Sequence, residues 1–482
     1  MLYEKLKEYG ESDYYGFHMP GHKRQLGQFI NPYEIDITEI HGFDDLHHPK
    51  EGEILAEAQK RAARTYGAEE TCFLINGSTA GILAAVSACV FANGKILMAR
   101  NCHRSVYHAV ALRNLSAVYL YPPQVEDLGI NGSILPEDVE KFLEQDEEIQ
   151  AVFVTSPTYD GVCSDIRKIA EICHGAQVPL IVDQAHGAHF PFSEYFPEDA
   201  IRAGADVVIH GVHKTLPSMT QTALLHLQGN LVNRERIRQY LSVYQSSSPS
   251  YVLMASIDSC MEWLEEKGKE AFKKYVQQLE AFRKSCKTLE KICLAGGNPI
   301  KDSQGKYVWP GMENIYEFDR SKLLFSIQRA GITGTELAEL LRKRYHLQME
   351  MSAPTYLVGI SSVADTEEGF GRLTRALQEL DIELETQKQV LCPYEGQIQK
   401  TVAAQEKVRQ GNALEWEKEY VRVKDSEGRI CAGYVYLYPP GIPLLVPGEL
   451  ISPEVLAQIK AWKERGLEIQ GLASDARLAV LK

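Results

Sequence analysis

The heptad His210-Gly211-Val212-His213-Lys214-Thr215-Leu216 follows directly on the apolar run Asp206–Ile209. A lysine at the mouth of a buried strand can present its amine to an aldehyde and form a Schiff base. The plain alternative is a solvated surface cation. Thirty-one positions earlier, Asp183 closes Leu180-Ile181-Val182-Asp183 and opens Gln184-Ala185-His186-Gly187-Ala188-His189. A carboxylate at a strand mouth needs a partner. A protonated pyridine nitrogen would be one, because a buried Asp keeps that nitrogen charged and the ring electron-accepting. A helix N-cap, or a metal site shared with His186 and His189, are the alternatives.

Two further loops carry polar groups of the same kind. Asn76-Gly77-Ser78-Thr79-Ala80-Gly81 lies between a short apolar run and an Ala-rich stretch. Gly77 allows close backbone approach to an anion, a helix start offers free N–H groups, and Ser78 and Thr79 add hydroxyls, so the segment can cup a phosphate. It matches neither the Walker loop nor the dinucleotide fingerprint, and a simple N-cap remains open. In Arg100-Asn101-Cys102-His103-Arg104-Ser105, the His103 imidazole could stack on a flat ring or serve as a hydrogen-bonded structural histidine. A phosphate cup, then a strand-ending Asp, then a strand-ending Lys is the order that pyridoxal 5′-phosphate (PLP) requires. Its phosphate, ring nitrogen and aldehyde must be held by three separate loops.

The elements that would position these loops are legible as alternating short apolar runs and helical stretches. Strands are expected at Cys72–Ile75, Lys95–Met98, Ala151–Thr155, Pro179–Asp183, Asp206–Ile209 and Ala223–Leu227, and helices at Ala80–Val90 and Ile166–His174. Before them, Ile54, Leu55, Ala58, Ala62 and Tyr66 recur at helical spacing and Gly67 stops the run. This alternation predicts an α/β domain with a mainly parallel sheet, whose ligand loops lie at the carboxyl ends of the strands. Residues 230–290 read as helical, and the segments beyond as smaller α+β units. The expected domains are an N-terminal arm over 1–45, a cofactor-binding large domain over 46–300, a small α+β domain over 301–394 and a C-terminal domain over 395–482. The last is expected to pack over the site entrance.

The bulk properties narrow the class. The 482 residues carry a formal charge of −14, which argues against nucleic acid and mildly favours a cationic substrate. No apolar run approaches the ~18–20 residues of a membrane helix. The first residues, Met1-Leu2-Tyr3-Glu4-Lys5-Leu6-Lys7, lack the apolar core of a secretory signal. A cytoplasmic enzyme is the expectation. Ten cysteines without a C-x-x-C pair read as reduced, mostly buried thiols rather than a zinc site.

These motifs together resemble the Orn/Lys/Arg decarboxylase family, within the fold-type I, aspartate-aminotransferase-like PLP enzymes. The likeness is strongest to its shorter bacterial members, often called arginine decarboxylases. It covers nearly the whole chain, through Phe17–Lys23, Asp44–Pro49, Asn76–Gly81, Asn101–His103, Asp183–His186, His213–Leu216, Ser246–Tyr251 and Tyr438–Leu444. The resemblance implies a seven-stranded large domain. It makes Lys214 the residue bound to the cofactor aldehyde, Asp183 the partner of the ring nitrogen, His103 the stacking ring, and Ser78 and Thr79 the phosphate ligands. His186 and His213 would line the pocket, and Lys214 or His103 would reprotonate the substrate carbon. Ser246 or Ser247 would reach the phosphate of a neighbouring subunit, in a homodimer or larger assembly with interfacial sites. The implied reaction is decarboxylation of arginine, lysine or ornithine. Another fold-type I reaction, such as transamination or β-elimination, and a non-catalytic PLP- or polyamine-binding paralogue are the competing readings. Three positions depart from the family pattern: Gln184 for Glu, Gly211 for Ser and Ile82 for Asn or Ser.

Overall fold

The structure, a computed structural model, describes residues 2–482 apart from 26–30, 39, 41, 127, 298–299, 302–306, 310–311, 385–402, 404, 438–441, 465–468 and 474. Its centre is a seven-stranded sheet. The spatial order is Glu70–Leu74, Ala223–Leu227, Val207–His210, Leu180–Asp183, Ile149–Thr155, Lys95–Ala99 and Ser116–Leu120. Ala223–Leu227 runs antiparallel to both neighbours, and the other pairings are parallel. The inner strands are buried over nearly all their length, which is why they read as apolar runs rather than alternating patterns.

Element boundaries agree with the sequence reading to within three residues, and one strand of the large sheet was not expected. Ser116–Leu120 forms the far edge of the sheet. Its half-buried Ser-Ala-Val start carries too little apolar signal to mark it. The Ala-rich helix is Gly77–Cys89 rather than Ala80–Val90, because Gly77 at φ +74° begins it three residues earlier. Helix Ile54–Tyr66 is as expected and ends on Gly67 in the left-handed region, at φ +73°. The helical stretch over 230–290 resolves into Arg234–Tyr244, Tyr251–Trp263 and Lys269–Ser285.

A second, antiparallel sheet joins Cys293–Leu294, Lys322–Ser326, Tyr356–Ile360 and Met351–Ser352. Helix Gly334–Tyr345, opened by a Thr333/Glu336 capping box, and helix Glu367–Glu383 accompany it. The N-terminal segment is more regular than its sequence suggests. It forms helix Leu2–Glu11 and strand Tyr15–Phe17, which pairs in parallel with Leu347–Met349. Beyond it, the Gly21 N–H donates to the His213 carbonyl at 2.7 Å, so the arm grips the turn that carries Lys214. The C-terminal region has its own core around Val435, Leu445, Ile451, Ile459 and Val480. It is tied to the large sheet by Arg100, whose guanidinium donates to both carboxylate oxygens of Glu449 at 2.6 and 3.0 Å.

Candidate active site

Each loop singled out from the sequence leaves the carboxyl end of a strand, and the sheet brings them around one cavity of about 250 Å³. Its wall includes Gly77, Ser78, Thr79, His103, Asp183, His186, His213 and Lys214. Parallel register explains the convergence. Asp183 pairs with Ile209 on one side and with Thr155 on the other, so the residues after these strands emerge at one level.

Lys214 sits in the short helix Val212–Thr215, and its Nζ lies 3.0 Å from His186 Nε2. Burial lowers the pKa of its ammonium, while Asp183 and Glu350 oppose that shift. Asp183 is only 4% exposed, and one of its carboxylate oxygens accepts the Ala185 N–H at 3.1 Å. Burial pushes its carboxyl pKa up and Lys214 pulls it down. A cationic ring atom beside it would pull it down further.

His103 opens on the cavity and caps helix Arg104–Leu112. Its Nδ1 accepts the Ser105 N–H, so the neutral ring carries its proton on Nε2. Desolvation by the surrounding protein, with Lys214 next in weight, lowers it to about 4. His213 is fixed in the opposite tautomer. Its Nδ1 faces the Thr222 carbonyl at 2.8 Å, and a carbonyl can only accept. Burial lowers this ring to about 4 as well.

The Gly77–Gly81 turn does not behave as a simple N-cap. The cap position of its helix is Asn76, whose side chain makes no capping bond and instead accepts the Ser246 N–H at 3.2 Å. Ser78 Oγ is buried without a partner, as are Asn101 Oδ1 and Thr155 Oγ1 in the same cavity wall. Three unsatisfied buried polar atoms around one cavity mark a place built for a polar group from outside the chain.

His189 Nε2 lies 3.3 Å from Asp319 Oδ1, and among the described residues no group of three or more His, Cys, Asp or Glu side chains is arranged to hold a metal ion.

Residues 1–368 match the Orn/Lys/Arg decarboxylase major domain, and residues 388–477 match the C-terminal domain of the same family. An arginine decarboxylase of Halalkalibacterium halodurans is 33% identical, over 95% of this chain and 92% of the relative. The chain belongs to the Orn/Lys/Arg decarboxylase family. Solved structures agree at the level of fold. The lysine decarboxylase LdcF of Francisella novicida superposes with a TM-score of 0.77 at 20% identity, over 91% of this chain and 72% of that one. An L-threonine transaldolase of Pseudomonas fluorescens gives 0.60 at 13%, over 79% and 87%. The architecture is that of the fold-type I PLP enzymes.

Within this decarboxylase fold, the three departures have local reasons. Gln184 points away from the cavity. Its Oε1 meets His210 Nε2 at 2.8 Å and accepts the Ala200 N–H at 3.1 Å, so the neutral amide serves as a core acceptor. Gly211 stands where an added Cβ would lie 2.8 Å from the Ala185 carbonyl and 3.0 Å from Lys214 Cδ, so this backbone is fitted to glycine. Ile82 is buried and forms apolar cavity wall.

Ser246 is exposed and outside the wall of this cavity. It is anchored next to the Gly77 turn through Asn76, with its carbonyl 2.8 Å from His47 Nε2. Tyr438–Gly441 of the last family motif lie outside the described residues, as does Cys392, while Ile442 reaches the cavity wall.

Sequence reasoning missed Asn101, Asn131, Thr155, Thr158, Tyr159 and Asp160 as wall residues. Thr155 ends a strand just as Asp183 does, and the same rule applied to it would have found it. Asp160, pushed up to about 6 by burial, sits in a turn whose sequence carries no sign that it faces inward.

Proposed function

We propose that this chain decarboxylates a basic amino acid, arginine, lysine or ornithine, with PLP bound through Lys214. The observation that carries the reading is the convergence of a lysine amine, a buried carboxylate and unpartnered hydroxyl and amide oxygens on one cavity. The residues present fit the cofactor. Ser78, Thr79 and the N-terminal N–H groups of helix Gly77–Cys89 would hold its phosphate, Asp183 its ring nitrogen, and His103 would lie against its face. When bound, the cofactor supplies an aldehyde that condenses with amines and a ring that takes up the electron pair left by CO₂.

The chain's own residues do the rest. Asp183 holds a proton on the ring nitrogen, because a buried carboxylate is costly without a cation beside it. His103, neutral over the physiological range with its proton on Nε2, and Lys214, once it is protonated to the ammonium, would be the groups that return a proton to the substrate carbon. The apolar wall of buried Ile82 and half-buried Ile442 would keep water from the reacting centre. The products would be agmatine, cadaverine or putrescine.

The proposed assembly is a homodimer or larger, in which Ser246 or Ser247 reaches the phosphate site of a second copy. Its exposure beside the phosphate turn supports that role. The proposed division into an arm over 1–45 and domains over 46–300, 301–394 and 395–482 is supported by the separate small sheet and C-terminal core. The nine described cysteines are all unpaired, which suits a reducing compartment such as the cytoplasm.

Purified enzyme with PLP should be incubated separately with arginine, lysine and ornithine while CO₂ and keto acid are followed. CO₂ release with the matching amine from one of the three is expected. Keto acid without CO₂ would replace this reading with transamination, and no product from any of them would favour a non-catalytic binding protein.

A further inference from the structure

Among the described residues of the cavity wall the acids are Asp183 and Asp160. Asp183 is committed to the cofactor ring nitrogen. Asp160 is only 5% exposed and takes no part in holding the cofactor as described above.

The turn that carries Asp160 is closed by its own hydrogen bonds. It follows the strand Ile149–Thr155, whose last residue pairs with Asp183, so it leaves the sheet beside the cofactor loops. The Thr158 N–H donates to the Val162 carbonyl at 2.8 Å and the Gly161 N–H to the Thr158 carbonyl at 3.0 Å. The Val162 N–H donates to Thr158 Oγ1 at 3.1 Å. Gly161 has φ +105°, and an added Cβ there would stand 2.8 Å from Lys322 Cγ, so the turn is fitted to glycine. From the second sheet, the Tyr356 hydroxyl donates to Asp160 Oδ1 at 3.0 Å and fixes the carboxylate.

Among the described residues Asp160 makes no ion pair. Lys322 lies buried against the turn, with its Nζ 2.8 Å from His186 Nδ1, and its charge attracts the Asp160 carboxylate. That attraction is smaller than the cost of burial, which pushes the carboxyl up to about 6. A further cation entering the cavity would therefore be held beside it.

A basic amino acid brings that cation. Its α-amine goes to the cofactor and its α-carboxylate leaves as CO₂. The ammonium or guanidinium at the far end is the group left to be recognised, and a charge taken out of water needs a counter-charge. Glu350 is the other acid whose charge reaches Lys214. It stands outside the described wall, and both of its oxygens are occupied: Oε2 accepts the Met19 N–H at 2.9 Å and Oε1 accepts the Tyr159 hydroxyl.

We propose that Asp160 is a specificity-determining residue that pairs with the cationic end of the substrate side chain. This rests on the reading that the chain decarboxylates a basic amino acid.

The test compares, in the PLP-loaded full-length enzyme, the KM of the preferred amino acid with the inhibition constant of its uncharged isostere. The isostere is citrulline for arginine, norleucine for lysine and norvaline for ornithine. Asp160→Asn keeps the shape and an oxygen for Tyr356 but removes the charge. The preference for the charged ligand over the isostere should shrink about thirtyfold or more, the scale of losing one partner of a buried charge pair. A merely structural role would weaken both ligands alike. An equal loss for both, or no loss, overturns the proposal. Asp160→Glu keeps the charge and reaches one methylene further, so the ratio of kcat/KM for ornithine to that for arginine should rise about tenfold. An unchanged ratio overturns the proposal, and this variant decides if Asp160→Asn does not fold. Wild-type enzyme that releases CO₂ from none of the three amino acids removes the proposed function itself, and this proposal with it.

Discussion

Alanine at position 214 suits the backbone of the short helix and removes the amine together with the methylenes that carry it. Lys214→Ala should therefore fold, lose the visible absorbance of bound PLP, and lose turnover. Spectra and CO₂ assays of the purified variant check this. Asp183→Asn should retain the cofactor but lose activity by about 100-fold or more, the scale of a lost proton-holding group. Near-normal kcat would contradict the role given to that carboxylate. The buried histidines also predict a pH dependence of stability. Burial lowers His213 to about 4 from an ordinary 6.5, and burial also holds His186 well below its ordinary value. Between those values the unfolded chain binds more protons than the folded one. Stability is thus full above about pH 6.5 and falls as the pH drops towards 4. Melting temperatures of the cofactor-free protein at pH 7 and pH 5 should show the decline. Lys214, Asp183 and His103 were legible because each follows a strand whose apolar run is visible in the sequence. Lys322 was not. It lies in Asp319-Arg320-Ser321-Lys322, which reads as a polar turn, and its burial depends on the small sheet packing against the loop of His186.

At the scale of elements, two contacts hold the cavity from outside the large sheet. Gly21 of the arm packs so tightly on the Lys214 turn that an added Cβ would stand 2.6 Å from Leu216 N and 2.7 Å from the Thr215 carbonyl carbon. Both are backbone atoms, so Gly21→Ala must displace the turn. A stability loss of about 1–3 kcal/mol is expected, with weaker PLP binding in an equilibrium titration. Arg100 and Glu449 are both nearly buried and bonded bidentately, just before the His103 loop. Glu449→Ala leaves the guanidinium buried without its partner and should cost about 3–5 kcal/mol in denaturant unfolding. Six of the seven strands of the large sheet and the Ala-rich helix were readable to within a few residues. The arm's helix and strand were not, because strand Tyr15–Phe17 exists by pairing with Leu347–Met349, and no local pattern announces a partner so distant in the chain.

At the scale of the whole molecule, the site draws on every part of the chain. The arm seats the lysine turn, the large sheet supplies the cofactor loops, the small sheet brings Lys322, and the C-terminal region contributes Ile442 and Glu449. The fold class was legible from alternation alone, but this convergence was not, since it is a property of packing between regions. The proposed dimer adds a prediction at this scale. Light scattering should give at least twice the 54.1 kDa chain mass, and a monomer that is fully active would remove the role given to Ser246. The most direct test of the whole account is chemical. Enzyme loaded with PLP should be reduced with borohydride, digested, and its peptides mapped by mass. The account predicts a single pyridoxyl-modified lysine at position 214, and modification elsewhere, with Lys214 unlabelled, would contradict it.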